Sequence, residues 1–236
     1  MPNHTDPSTE ATPTPSAYIT AIKPWRTHSS DVAIQVNGKT VARLSVRTTS
    51  DIGLFVGQSW DDPLAMRVRE ADDGDRAFRT AMALLNRRAK STRQLAQQLR
   101  RKGHSDTVID RVTERLTQLR LLDDRAFGQA VIRDTTRSRA AGPRLLLLKL
   151  RQRGVNGQLA EELIQESTPT PDQAIDQAAQ LIQKKTRTPT YRSLEPQTLK
   201  RRLWAMLARR GFDHDTIQAA FGQALSNPHP HDEAGD

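Results

Sequence analysis

Residues 95–103 read LAQQLRRKG, and the same pattern returns as LLLKLRQRG at 146–154 and LWAMLARRG at 203–211. In each copy leucines stand eight and four residues before the glycine: Leu95 and Leu99, Leu146 and Leu150, Leu203 and Leu207. That spacing places them on one face of an α-helix. Lys102, Arg153 and Arg210 precede the glycines as cations suited to a helix C-terminus, and Gly103, Gly154 and Gly211 supply the left-handed residue that ends it. A ring-bearing or apolar residue follows (His104, Val155, Phe212), then an N-cap type (Ser105, Asn156, Asp213), then a second apolar stripe. That stripe is Val108, Ile109, Val112 and Leu116 in the first copy, Leu159 and Leu163 in the second, Ile217 and Phe221 in the third. A further helix precedes each pair, marked by Phe78, Met82 and Leu85, by Phe127, Val131 and Ile132, and by Ile175, Ala179 and Ile182. The predicted fold is mainly α: an elongated, divergent tandem array of three three-helix (helix-turn-helix-like) repeats, with a small N-terminal β-hairpin or sheet extension.

The rest of the chain is divided around that array. Residues 1–16, rich in Thr, Pro and Ser, are expected to be disordered. Residues 17–60 alternate as short strands, with Asn37-Gly38 as a hairpin turn and 53–60, GLFVGQSW, as a closing segment. Residues 61–75 read as an acidic linker, 76–122, 123–168 and 169–225 as the three repeats, and 226–236 as a tail. KKTRTPTYRSLEP, 184–196, reads as a long basic loop in the third repeat. Asp123 or Asp124 is suited to cap the helix that opens repeat two. The absence of cysteine excludes disulfides and thiolate chemistry, and no apolar run reaches membrane-spanning length. A cytoplasmic monomer is the expectation.

Charge divides the chain further. Residues 1–75 carry 7 basic and 10 acidic side chains, 76–153 carry 20 and 6, and 154–236 carry 9 and 11. The whole positive excess behind the net +9 therefore sits in the first two repeats. So dense a field of one sign suggests a polyanionic partner, nucleic acid or an acidic protein, against the alternative of a solvated face. The candidate contact residues are Arg87, Arg88, Lys90, Arg93, Arg100, Arg101 and Lys102, then Arg133, Arg137, Arg139, Arg144, Lys149, Arg151 and Arg153. The helices after the glycines carry Asp106, Asp110 and Glu114 or Glu161, Glu162 and Glu166, which disfavours insertion into a DNA groove and favours backbone contact. Repeat three, near neutral overall, is expected to extend or anchor the array.

No P-loop, dinucleotide fingerprint, zincin motif or nucleophile elbow occurs, so catalysis is disfavoured and no cofactor is expected. His229, His231 and Asp232 fall in a proline-bearing tail and are read as solvated rather than as a metal site.

Three stretches carry a family resemblance: LLDDRAF at 121–127, GPRLLLLKLRQRGV at 142–155 and ARRGF at 208–212. Set in tandem three-helix repeats, they resemble the RecX regulators of the bacterial RecA recombinase. The 53–58 segment, GLFVGQ, is similar to the β extension of some members. The resemblance implies a non-enzymatic cytoplasmic protein that binds the RecA filament on single-stranded DNA and restrains ATP turnover, strand exchange and co-protease activity. The many cations and few base-reading groups add the expectation of weak, non-specific contact with single-stranded DNA, with duplex as a further candidate. A stand-alone, sequence-independent DNA-binding helical protein is the alternative. Leu145 and Leu148 depart from the usual pattern: the repeat does not require them to be apolar, so either a neighbouring part of the fold or a partner should cover them.

Overall fold

A computed structural model describes residues 17–138, 140–167 and 170–226 of the chain. The stretch 1–16, residues 168–169, Arg139 and the tail from 227 with His229, His231 and Asp232 lie outside the described residues. The described chain forms two compact units. One takes 17–87 with Leu99–Glu114, the other Arg88–Gln98 with 115–226.

The first unit opens on three antiparallel strands in the order β1 (Ile19–Pro24), β2 (Asp31–Val36), β3 (Lys39–Ser45). Asn37 and Gly38 turn the β2–β3 hairpin with φ of 47° and 78°, the positive values that an Asn-Gly pair tolerates. The 53–60 segment closes against β1 as its sequence suggests: Ile19 N–H donates to the Gln58 carbonyl at 2.9 Å and Gly57 N–H to that of Ile19 at 2.8 Å. Between β3 and this segment lies a short helix that the alternation did not announce, α1 (Val46–Ile52), capped by Ser45 Oγ.

The acidic stretch expected to be a linker is instead the first half of a 26-residue helix, α2 (Asp62–Arg87). Asp61 caps it by accepting the Leu64 N–H at 2.9 Å. Leu64 and Val68 bury against Ile19, Ile34 and Leu44 of the sheet. The aspartates that looked like linker residues hold the sheet end: Asp72 accepts the Arg43 N–H at 3.1 Å, and Asp75 accepts the Ser45 N–H at 2.6 Å and the Thr48 hydroxyl at 2.9 Å. Asp73 takes the turn side. It accepts from Arg76 at 2.6 Å and lies 3.1 Å from Nδ1 of buried His104. Burial raises the Asp73 pKa, but the bonds from Arg76 and His104 outweigh it and hold the carboxyl below its ordinary range.

Helices α3 (Thr92–Arg101) and α4 (Asp106–Gln118) complete the first repeat in sequence. The second is α5 (Asp124–Ser138), α6 (Pro143–Gln152) and α7 (Gly157–Ser167). The third is α8 (Pro171–Thr186), α10 (Pro196–Arg209) and α11 (His214–Ser226), with a short α9 (Pro189–Arg192) inside the stretch read as a loop. Tyr191 of α9 packs on the third core, around Leu203, Leu207, Phe212 and Ile217. The second core gathers Phe127, Leu146, Leu150, Val155 and Leu163.

All three glycine turns are built alike. Gly103, Gly154 and Gly211 have φ of 86°, 81° and 87°. Each glycine N–H donates to the carbonyl three residues back at 3.0 Å, and the next N–H reaches five back: His104 to Leu99, Val155 to Leu150, Phe212 to Leu207. This double bond pattern satisfies the last carbonyls of the helix.

Within the second unit the repeats are joined by a contact that recurs. Ser91, twelve residues before Gly103, donates its hydroxyl to the Arg153 carbonyl at 2.8 Å. Gly142, twelve before Gly154, donates its N–H to the Arg210 carbonyl at 2.8 Å. The start of one pre-glycine helix thus sits on the glycine turn of the next repeat. A Cβ at Gly154 would meet Ser91 Oγ at 2.7 Å, and one at Gly211 would strike the Leu145 backbone, whereas Gly103 has nothing within 4 Å. Asp123 caps α5 by accepting the Ala126 N–H at 2.9 Å, while Asp124 reaches back to the start of α3 and accepts the Thr92 N–H at 2.7 Å.

Candidate polyanion-binding face

The pre-glycine helices α3, α6 and α10 share a charge pattern that sets them apart. Each carries three or four cations and no carboxylate, whereas α2, α4, α5, α8 and α11 all have an acid in the first turn. An amphipathic helix held by its leucine stripe must turn its remaining faces outward, and here those faces are basic.

In the second unit some of these cations converge. Arg88, Lys149, Gln152 and Arg153 line a groove of about 440 Å³ whose floor is Phe127, Ala130 and Val131. Asp134 is the one carboxylate in its wall. Three cations over an apolar floor disfavour water-like neutrality and favour an anionic occupant, since like charges this close repel one another until a counter-charge arrives.

The remaining predicted residues do not all join that groove. Arg87, Arg101, Lys102, Arg133 and Arg137 are exposed on their own helices or turns. Arg100 pairs with Asp106 at 2.6 Å and Arg151 with Glu161 at 3.0 Å, ion pairs that tie a pre-glycine helix to the helix after its turn. Lys90 is a correction: it is buried to 5% exposure beside the fully buried Ser91 at the start of α3, so it cannot present charge on an open face. Arg93 and Arg144 are exposed and lie at the repeat joints. The Arg93 stem is against Gly154, and Arg144 N–H donates to the Gly211 carbonyl at 3.3 Å. Asp213, held below its ordinary pKa range mainly by the Thr216 N–H, also feels the Arg144 charge.

Leu145 and Leu148 separate. Leu145 is half-buried, packing on the second core and against the Gly211 turn of repeat three, so the neighbouring repeat covers it. Leu148 is 51% exposed. The sequence list also omitted Lys200, Arg201, Arg202 and Arg209 of α10, because summing charge over 154–236 mixes that helix with acidic neighbours; counting helix by helix exposes it.

Among the described residues no group of three or more His, Asp or Glu side chains could hold a metal, and no helix is long and apolar enough to cross a membrane.

Residues 77–116 match the first three-helix domain of RecX and 172–221 the third. The chain is 33% identical over 155 residues to the regulatory protein RecX of Prosthecochloris aestuarii, covering 66% of this chain and 97% of that one. It is 32% identical over 163 residues to the regulatory protein RecX of Geobacillus kaustophilus, 69% of this chain and 59% of the relative. A crystal structure of a regulatory protein RecX superposes with a TM-score of 0.74 at 18% identity, covering 87% of this chain and 99% of that one, a likeness of fold.

Proposed function

The chain belongs to the RecX family, and on that footing we propose that it is a non-enzymatic cytoplasmic regulator that binds the RecA–single-stranded DNA filament and restrains its ATPase, recombinase and co-protease activities. The observation that carries this reading is the acid-free basic helix repeated once per three-helix unit, with Arg88, Lys149 and Arg153 gathered in one groove. A nucleoprotein filament is a periodic polyanion. Successive repeats that each bring a basic helix can engage it at many weak points, which sum to affinity without base reading. The joints at Ser91 and Gly142 support this, because helices fixed in one register lose less freedom on binding than loosely tethered ones. A chain so bound obstructs filament growth and nucleotide turnover by occupying the surface, and needs no catalytic group.

The test is binding of the purified full chain to RecA filaments on labelled single-stranded DNA, set against the same DNA alone. Tighter, saturable binding to the filament supports the regulator. Equal affinity for naked DNA and filament favours the alternative, a stand-alone sequence-independent DNA-binding protein.

A further inference from the structure

Repeat three was expected mainly to extend or anchor the array, yet its helix α10 carries Lys200, Arg201, Arg202 and Arg209, all exposed, and no acid. Arg201 stands ten residues before Gly211, as Arg93 does before Gly103 and Arg144 before Gly154. All three arginines belong to the second unit. The recurrence has a structural explanation in two copies: Arg93 and Arg144 lie on the glycine turn of the following repeat. That explanation fails for Arg201, because the described residues hold no fourth turn for it to lie on. Lys200, Arg201 and Arg202 form no ion pair among the described residues. Three adjacent, exposed cations with no ion pair among the described residues cost self-repulsion.

We propose that Lys200, Arg201 and Arg202 form a third contact for the phosphodiester backbone of single-stranded DNA, continuing the line of Arg93 and Arg144. The proposal deepens the reading of the basic face given above and rests on it. Nucleic acid is favoured over an acidic protein because the same residue recurs at the same position of successive repeats. The joint repeats as well, Ser91 on Arg153 and Gly142 on Arg210, so the cations follow a regular step. A regular step suits an evenly charged polymer. The contact is to phosphate and not to bases: the nearby Trp204 is half-buried and already engaged by two rings, stacked on Phe221 at 6.0 Å and in a T-shaped contact with His214 at 5.0 Å. Arg also suits phosphate by its fork of donors.

The experiment replaces Lys200, Arg201 and Arg202 by Gln in the full chain and measures affinity for a labelled oligothymidylate across a salt series. Three lost phosphate contacts make the log K against log salt slope shallower by about 2, at about 0.7 per contact on a single strand. The melting temperature should stay that of the parent. If the triple variant is destabilised, Arg201→Gln alone is read, with an expected change of about 0.7, and Arg201→Lys should keep the parental slope, since counterion release depends on charge. An unchanged slope overturns the proposal. So does an unchanged slope with weakened RecA inhibition, which would assign α10 to an acidic protein surface. Inhibition of RecA by the parent chain, measured alongside, tests the underlying reading separately.

Discussion

The hydroxyl of Ser91 donates to the carbonyl of Arg153 at 2.8 Å across 62 residues of chain, and the same oxygen accepts the Gln94 N–H at 3.2 Å. One side chain thus caps the start of α3 and ties it to the glycine turn of repeat two within the second unit. Ser91→Ala removes both bonds at a site with no solvent access, and should cost about 0.5–2 kcal/mol, the range for a lost cap. Urea unfolding checks this; a loss within error would mean that the joint contributes little.

The three glycines should respond unequally to alanine. At Gly103 the space is open, so Gly103→Ala meets only the left-handed strain of about 1–2 kcal/mol. At Gly211 the same strain is joined by collision with the Leu145 backbone, which adds about 1–3 kcal/mol of overpacking. Gly154→Ala falls between, since its nearest neighbour is the Ser91 side chain rather than backbone. Equal losses at all three would show that the repeats are not seated on their glycine turns.

These turns were legible in the sequence because every group in them lies within a few residues, as do those of the Asn37-Gly38 hairpin. The helix through Asp72, Asp73 and Asp75 was not. A carboxylate-rich run with a glycine looks like a solvated linker until its partners, Arg43, Ser45 and Thr48, are brought back from 27–30 residues away. Asp124 misleads in the same way, its acceptor role belonging to a helix 32 residues upstream. At the candidate site, which residues are basic was plain from the sequence. Burial of Lys90, pairing of Arg100 and Arg151, and the convergence of Arg88, Lys149 and Arg153 depend on packing that periodicity does not encode.

Asp73 gives the fold a pH dependence of known sign. Its pKa is depressed in the folded chain by Arg76 and His104 after the opposing effect of burial, so its contribution is present above the ordinary carboxylate value of about 4 and is lost as pH falls through the folded value. Asp73→Asn should therefore be less stable than the parent near neutrality, with the gap closing on acidification. A gap that is constant down to acidic pH would contradict the assignment.

Leu145 and Leu148 should part in mutagenesis as they do in space. Leu145→Gln places an amide between the second core and the Gly211 turn and should lower the melting temperature. Leu148→Gln, at a half-exposed position, should leave it unchanged. If Leu148 touches the filament, its variant also inhibits RecA less; parental inhibition would remove Leu148 from the interface.

Binding to naked single-stranded DNA should be sequence-independent and steep in salt, with a slope of about −3.5 if about five phosphates are neutralised. A tight, sequence-selective complex with a shallow slope would contradict the backbone-contact reading.

The most direct test is the single-stranded-DNA-dependent ATPase of the recombinase from the same organism, titrated with the full chain and with a variant carrying Arg88→Glu, Lys149→Glu and Arg153→Glu. The parent should suppress ATP turnover at ratios well below one chain per recombinase subunit, and the variant, melting as the parent does, should need a much higher ratio. No suppression by the parent at any ratio would contradict the proposed function, and equal suppression by the two would contradict the basic groove as its means.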